Sequence, residues 1–596
     1  MIYLVCIFAY LLLLAGIGIR QSRRVKSEED FTVAGRSLSP WVMVCTMLAV
    51  WIGTGSIVGN AEQTYKTGMA ALILPIGTFF GMILLSLIAS RARNIEATSV
   101  PGIIQSCFGN TARGLAMLSL IIAYMVIVSY QFNAGGAVLE VIAGDKPPVI
   151  VSSGDQLTRR QLLKGRLVFA PEEDWAGSTS LTLVTDSGPS AATLEWPVHV
   201  VVSDDLKAAK QDAEKAGRGT AVKRSGSARL YLNADLLSGS QYTVASVPDH
   251  GTLTLVEPIL TARTATLIAA ICIVVYTMLA GLMSLASMDI LNGSAIMLTM
   301  VIALPVYWFK AGGGNGMEAA FAAMGDRTHH MQFWGVYSKA DLINYILPVF
   351  LLVLGDANQY QRIFASRNAK GAKTAVTVMI FVAFAIELLI IACAWIVASM
   401  TPDPENGKYI LIYAAKHYLA LPIGCLFMVT VVAIIFSTAN SFLHVSASTA
   451  ITDVYLAYIN PKAGQKCLLF LSRLMVVVFG LIAFFVTLMF AETTGFFRKA
   501  LYAFTIYGSS ITPTLVAAIV WKRATTAGAV ASILTGTVVS LVWSEADFIH
   551  RLLPPAASGL DAVLPALLAS VTCLVVVSLL TKKRICPKDA TFTRAV

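Results

Sequence analysis

Three short strings hold the residues best able to do chemistry. Trp51-Ile52-Gly53-Thr54-Gly55-Ser56 closes an apolar run that begins at Trp41 and places two glycines near its middle. Glycines there let a helix unwind, and an unwound turn frees backbone carbonyls, good ligands for a hard cation such as sodium where irregular backbone lines a cavity. The same glycines also serve simple close helix packing. The second string is Phe436-Ser437-Thr438-Ala439-Asn440-Ser441, followed by His444, Ser446, Ser448 and Thr449. Hydroxyls in apolar helices usually bond their own backbone four residues back. Adjacent Ser437 and Thr438 can instead add two oxygens to the carbonyls of the first string, a neutral set that suits a cation which must also leave.

The third string, Gly355-Asp356-Ala357-Asn358-Gln359-Tyr360, is a polar break in another apolar run. A carboxylate inside a membrane bundle is costly without a partner and marks a functional site by default. Asp356 therefore reads either as a substrate contact, with Asn358, or as a gate residue paired with Arg362 or Arg367. Trp51, Gly55 and Ser56 would face the same solute, and Tyr124, Tyr130, Tyr360, Tyr502 and Tyr507, on other apolar runs, are candidates to complete an aromatic wall. Glu62 and Gln63 fall past the outer end of the first string's run, and His329-His330 read as solvated loop histidines.

The elements that must position these residues are membrane helices. Of the 596 residues 56% are hydrophobic and 13% charged, more apolar than a soluble core of this size needs. A bilayer core takes about 20 apolar residues per helix, and runs of that length number thirteen. They lie near 2–20, 40–60, 68–90, 113–137, 263–284, 287–308, 341–362, 373–400, 419–449, 467–491, 498–521, 525–544 and 562–581. The fold class expected is an all-α membrane protein. The first run lacks a basic region ahead of it and a small-residue cleavage site after it, so it reads as a retained span.

Lys and Arg in short loops set the orientation. With the N-terminus outside, inner segments hold 22 of them and outer short loops 9, so the N-out, C-cytoplasmic arrangement is expected. The net charge of +10 is then explained by topology, with no nucleic acid as partner. The nine cysteines show no CxxC spacing, and no disulfide framework or zinc site is indicated. No Walker A, zinc-spaced histidine pair or nucleophile elbow is present, which argues against an enzyme and against an ATP-driven pump.

Residues 144–261 differ from the rest: apolar runs shrink to strand length and charged and turn-forming residues become frequent. The expected organisation is thus spans one to four over 1–143, a β-sandwich insertion over 144–261, spans five to thirteen over 262–581 and a cytoplasmic tail over 582–596. Strands are predicted at 166–170, 180–185, 195–202, 228–232 and 251–256, and 204–224 reads as a solvated loop or short helix. Topology puts the insertion outside the cell. Its string Gly165-Arg166-Leu167-Val168-Phe169-Ala170-Pro171, with Asp174-Trp175-Ala176-Gly177-Ser178, resembles the cadherin-like repeats of bacterial surface proteins, which makes it an accessory domain or a docking place for a protein partner.

Outside the insertion the chain resembles the sodium:solute symporter family. The likeness rests on Gly35-Arg36-Ser37-Leu38, Ala280-Gly281 with Asp289, Gln361-Arg362, Ser437-Thr438 with Thr452-Asp453-Val454-Tyr455, and Asn460-Pro461-Lys462. The resemblance implies a LeuT-type fold of two inverted five-helix repeats, spans two to six and seven to eleven, in a bacterial inner membrane. It implies symport of a small organic solute by alternating access, with sodium as coupling ion and no further cofactor. Carried over by motif, the sodium ligands are the carbonyls of Ala49, Ile52 and Ile434 and the hydroxyls of Ser437 and Thr438. Two departures stand out: Met288-Asp289 with Asn292 replaces the family's Thr-Asp with Gln three residues on, and Trp51 stands where proline symporters carry Asp. Trp51 resembles the choline branch, where a Trp joins an aromatic cage, so cationic amines stand beside amino acids, other carboxylates and sugars as solutes. A solute sensor built on a transporter fold, without net flux, is the alternative function.

Overall fold

The computed structural model describes the chain apart from residues 1, 23–24, 26, 96, 164–165, 173–174, 186–192, 202–218, 224–227, 231, 233–235, 238–239, 280, 326, 402–406, 408, 490–495, 546–558 and 582–596. The segment expected as a solvated loop, in its 204–218 part, and the expected tail lie outside the described residues. Two compact units result, one from Met1–Ile142 with Ala262–Val596 and one from Ala143–Thr261.

The first unit is helical. Twelve described helices are long and apolar enough to cross a bilayer, or thirteen with the bent pair Pro40–Trp51 and Gly55–Ile73 taken as one span. In chain order the spans are α1 (Ile2–Ser22), α2 (opening with Pro40–Trp51), α3 (Ile76–Asn94), α4 (Asn110–Ala143), α5 (Ala262–Leu279), α6 (Leu282–Lys310) and α7 (Lys339–Gly355). They continue with α8 (Ala369–Met400), α9 (Leu421–Ala450), α10 (Gln465–Met489), α11 (Phe496–Ser510, resuming as Thr512–Val520), α12 (Thr526–Glu545) and α13 (Val563–Leu580). Leu12, Phe381, Phe485 and Leu580 are exposed, as apolar side chains turned toward lipid must be.

Local chemistry sets the ends. Ser338 and Asp341 form a capping box that starts α7, Asn368 caps α8 through the Gly371 N–H, and Pro40 and Pro422 occupy first-turn positions whose missing N–H costs nothing. The first helix of each expected repeat is broken. α2 stops at Trp51, Ile52 turns to φ −78° and ψ 96°, and the chain resumes as a π-helix over Gly55–Asn60 and an α-turn over Ala61–Thr67, bent by 56°. α7 stops at Gly355, and after Asp356 a short helix runs Ala357–Ala365. The third span begins at Ile76 rather than near 68, because Gly68 at φ 64° lies against the His330 backbone, where a Cβ would come within 2.4 Å of Cα. Short helices over Val100–Phe108, Gly313–Met324 and Ile410–His417 link spans and were not anticipated.

The second unit is a β-sandwich. Its strands are β1 (Val149–Ile150), β2 (Gln156–Thr158), β3 (Leu167–Pro171), β4 (Gly177–Thr185), β5 (Thr193–Val201), β6 (Thr220–Lys223), β7 (Ala228–Leu230), β8 (Gln241–Ser246) and β9 (Gly251–Leu255). One sheet has the order β1-β9-β3-β7, the other β2-β8-β4-β5-β6. Phe169 and Leu253 from the first and Leu181, Trp196 and Val244 from the second share one buried core. Residues 220–223, expected within the solvated loop, form β6 instead, parallel to β5.

Candidate functional site

The α2 break brings the sodium candidates to α9. The Thr438 Oγ1 donates toward the Ala49 carbonyl at 3.3 Å and lies 3.5 Å from the Ile52 carbonyl. Both carbonyls are available because the chain leaves helical geometry at Ile52. Gly53 is required: a Cβ there would meet the Thr438 side chain at 2.9 Å and the Gln131 Nε2 at 3.1 Å. Thr54 donates to the Gln131 side chain of α4, tying the unwound turn to a second helix. Ile434, one turn before Thr438, is buried on the same helix.

Ser437 does not join that cluster. Its hydroxyl donates to Asp289 of α6, whose other oxygen accepts from Thr46 at 2.5 Å and lies 3.8 Å from the Arg362 Nη2. Arg362, wholly buried, also donates to Ser441 at 2.8 Å, to Thr46 at 3.3 Å and to the Asn358 carbonyl at 3.3 Å. The hydroxyls further along α9 behave as isolated ones do: Ser446 returns to the Phe442 carbonyl and Ser448 to that of Val445.

A narrow cavity of about 50 Å³ adjoins the break and is lined by Trp51, Gly55, Ser56, Tyr130, Gln131 and Thr438 among others. Trp51, Gly55 and Ser56 are thus together. Tyr124, Asp356 and Asn358 are buried, but they are not among the lining residues, and neither is half-buried Tyr502. Asp356 instead caps the short helix after the α7 break, accepting from the Asn358 N–H at 3.1 Å and the Tyr124 hydroxyl at 2.6 Å. In place of a close gate pair, Arg362 lies 3.8 Å from Asp289, Arg367 donates to the Ser37 carbonyl at 2.8 Å, and among the described residues neither is within ion-pair distance of Asp356. Tyr507 closes the same break, its hydroxyl donating to the Gly355 carbonyl at 2.8 Å and accepting from the Ala357 N–H at 3.1 Å.

Sequence reasoning passed over Glu387 of α8, which accepts from the Trp51 Nε1 at 2.8 Å and lines the cavity. The signal was present, since an acidic residue in a long apolar run is a functional candidate. One of the two loop histidines is corrected: His330 is 1% exposed and bonds the Tyr65 carbonyl at 3.0 Å. Burial pushes its pKa below the usual histidine value.

The sodium:solute symporter family model matches residues 31–147 and 254–536, leaving out most of the β-sandwich unit. The high-affinity proline transporter PutP of Bacillus subtilis is 26% identical over 305 residues, which cover 49% of this chain and 62% of that protein. A monocarboxylic acid transporter of Corynebacterium glutamicum is 30% identical over 38% of this chain and 41% of its own length. The chain thus spans less than two thirds of these curated relatives. A solved structure of a Na+-coupled sialic acid symporter superposes with a TM-score of 0.66 at 13% identity, covering 98% of this chain and 99% of that one, so the LeuT-type fold expected for the helical unit is the one observed. The helical unit with its two broken spans, and a family match over most of that unit, place the chain in the sodium:solute symporter family.

Proposed function

We propose that the chain is a secondary active transporter that carries a small organic solute in symport with sodium by alternating access. The observation that carries this reading is the α2 break, which sets the Ala49 and Ile52 carbonyls against Thr438 directly beside the cavity lined by Trp51, Gly55 and Ser56. Irregular backbone at membrane depth is tolerated where it lines such a cavity, and it supplies oxygens matched to a hard cation. Ala49, Ile52, Ile434 and Thr438 form the ligand set, with Ser437 joining when its hydroxyl leaves Asp289. Sodium and solute then share one turn of backbone, which couples their binding.

The working orientation has the N-terminal end outside a bacterial plasma membrane, the C-terminal end in the cytoplasm and residues 144–261 outside, as the 22 to 9 distribution of Lys and Arg favours. Purified protein in proteoliposomes, given an inward sodium gradient and a panel of radiolabelled solutes, tests the function. Accumulation that collapses when potassium replaces sodium is expected. Solute binding with no sodium-driven accumulation would favour a sensor instead.

A further inference from the structure

Among the described residues, one carboxylate stands in the wall of the cavity at the α2 break, that of Glu387. Its Oε1 accepts from the Trp51 Nε1 at 2.8 Å and from the Thr78 hydroxyl at 3.1 Å. Its Oε2, equally buried, has no hydrogen-bond partner among the described residues, and the residue as a whole is 3% exposed. Among the described residues no Lys or Arg lines the cavity, whose wall also includes the rings of Trp51, Tyr130, Phe442 and Phe504.

A carboxylate withdrawn from water with no counter-cation is strongly disfavoured, and pairing with a cation relieves that cost. Ring faces attract the same kind of group, most of all when water is excluded. An anionic solute would meet a like charge and no cationic side chain. Beside a neutral sugar the carboxyl would stay uncompensated or take up a proton, whereas an ammonium lets it remain ionised. We propose that Glu387 is the charge-recognition residue of the solute site and that the group seated against it is an ammonium, in an amine or an ammonium-bearing zwitterion. The assignment rests on the cavity being the solute site of a transporter. Oε1 holds Trp51 and Thr78 in place, while Oε2 receives the cationic nitrogen.

The test uses the full chain in proteoliposomes under an inward sodium gradient, with choline, ethanolamine, proline, glycine betaine, lactate and glucose as solutes. Binding of the same compounds is measured in parallel by thermal shift in detergent. Sodium-driven uptake of at least one ammonium compound is expected, with lactate and glucose excluded. Glu387→Gln keeps an acceptor for Trp51 and Thr78 but removes the charge. It should raise the half-saturation concentration for the ammonium compound by about tenfold or more, the loss of one desolvated charge contact. Glu387→Asp should recover part of that loss, and the sodium half-saturation should change little in either variant. A purely structural Glu387 would leave Glu387→Gln unaffected, which would overturn the assignment. So would uptake of lactate or glucose alone, or failure of every ammonium compound. An ammonium compound that binds, loses affinity in Glu387→Gln and yet is not accumulated would keep the role of Glu387 and sink the transport reading instead.

Discussion

Thr438 of α9 reaches across to Ala49 of α2, its Oγ1 3.3 Å from the Ala49 carbonyl oxygen. Ser437, one residue earlier, donates to Asp289 instead. The two hydroxyls should therefore respond differently to removal. Thr438→Ala takes an oxygen from the proposed sodium ligands and is expected to raise the sodium half-saturation constant by about tenfold, some 1.4 kcal/mol, with little loss of thermal stability. Ser437→Ala leaves a buried carboxylate short of a donor and should cost about 1–3 kcal/mol of stability as well. Uptake kinetics against sodium concentration, read beside melting curves, separate the two. An unchanged sodium half-saturation in the double variant would remove both hydroxyls from the ligand set.

Arg113, near the start of α4, places its Nε 3.0 Å and its Nη2 2.5 Å from the Asp453 Oδ1, and the same Nη2 lies 3.0 Å from the Thr452 carbonyl. Both side chains are buried, Arg113 9% and Asp453 2% exposed. The pair fastens α4 to the π-helix Ile451–Ile459 that extends α9. Removing one partner strands a buried charge, so Asp453→Ala or Arg113→Ala alone should cost about 3–5 kcal/mol, while Arg113→Met with Asp453→Leu should cost less than either. Melting temperatures in detergent check the order. A double variant less stable than both singles would refute the account.

Glu28 lies outside the spans, in the short helix Glu28–Val33, and is 6% exposed. Burial pushes its carboxyl up to about 7, against weaker opposition from the Thr32 and Ser472 hydroxyls that donate to it. The fold thus favours the protonated form. A raised carboxyl pKa contributes stability that is fully present below the unfolded value near 4.5 and is lost as pH rises through 7. The melting temperature should fall between those limits, and Glu28→Gln should flatten that part of the profile, a difference on the order of 3 kcal/mol at most. A variant whose profile parallels the parent would assign the titration to other groups.

How far the sequence carried depends on the kind of signal. Long apolar runs located most of the spans to within a few residues, the start of the third excepted, because bilayer thickness fixes their length. The α2 break was legible from Gly53 and Gly55, and the Ser437-Thr438 pair from its density of hydroxyls. What Ser437 bonds was not legible, since its partner Asp289 lies 148 residues away and only the packing of α6 on α9 brings it there. The same limit hid Glu387, whose partner Trp51 is 336 residues distant. In the β-sandwich, β3, β4, β5, β7 and β9 were found, but β8, which alternates Tyr242 and Val244 into the core, was missed. β1 and β2 have only two and three residues, and β6 borrows its order from pairing with β5, so none of them carries a periodic signal of its own.

The β-sandwich provides the last prediction: replacing residues 144–261 by a short polar linker should leave sodium-driven uptake measurable. The sandwich has its own core, in which Leu181, Leu183 and Val198 are fully buried, so it does not draw its stability from the spans. Its two ends meet at a neck. The Ile259 N–H donates to the Gly144 carbonyl at 3.0 Å, the Lys146 N–H donates to the Glu257 carbonyl at 2.7 Å, and Asp145 pairs with Pro258 as an isolated bridge. Excision at that neck therefore leaves a gap that a few residues close, with α4 and α5 at their present ends. The excised segment expressed alone should unfold in one cooperative transition, as a domain with a single core does. Well-folded deletion protein that takes up no solute would make the sandwich part of the transport machinery. A 144–261 fragment with no cooperative transition would show that its fold depends on the spans.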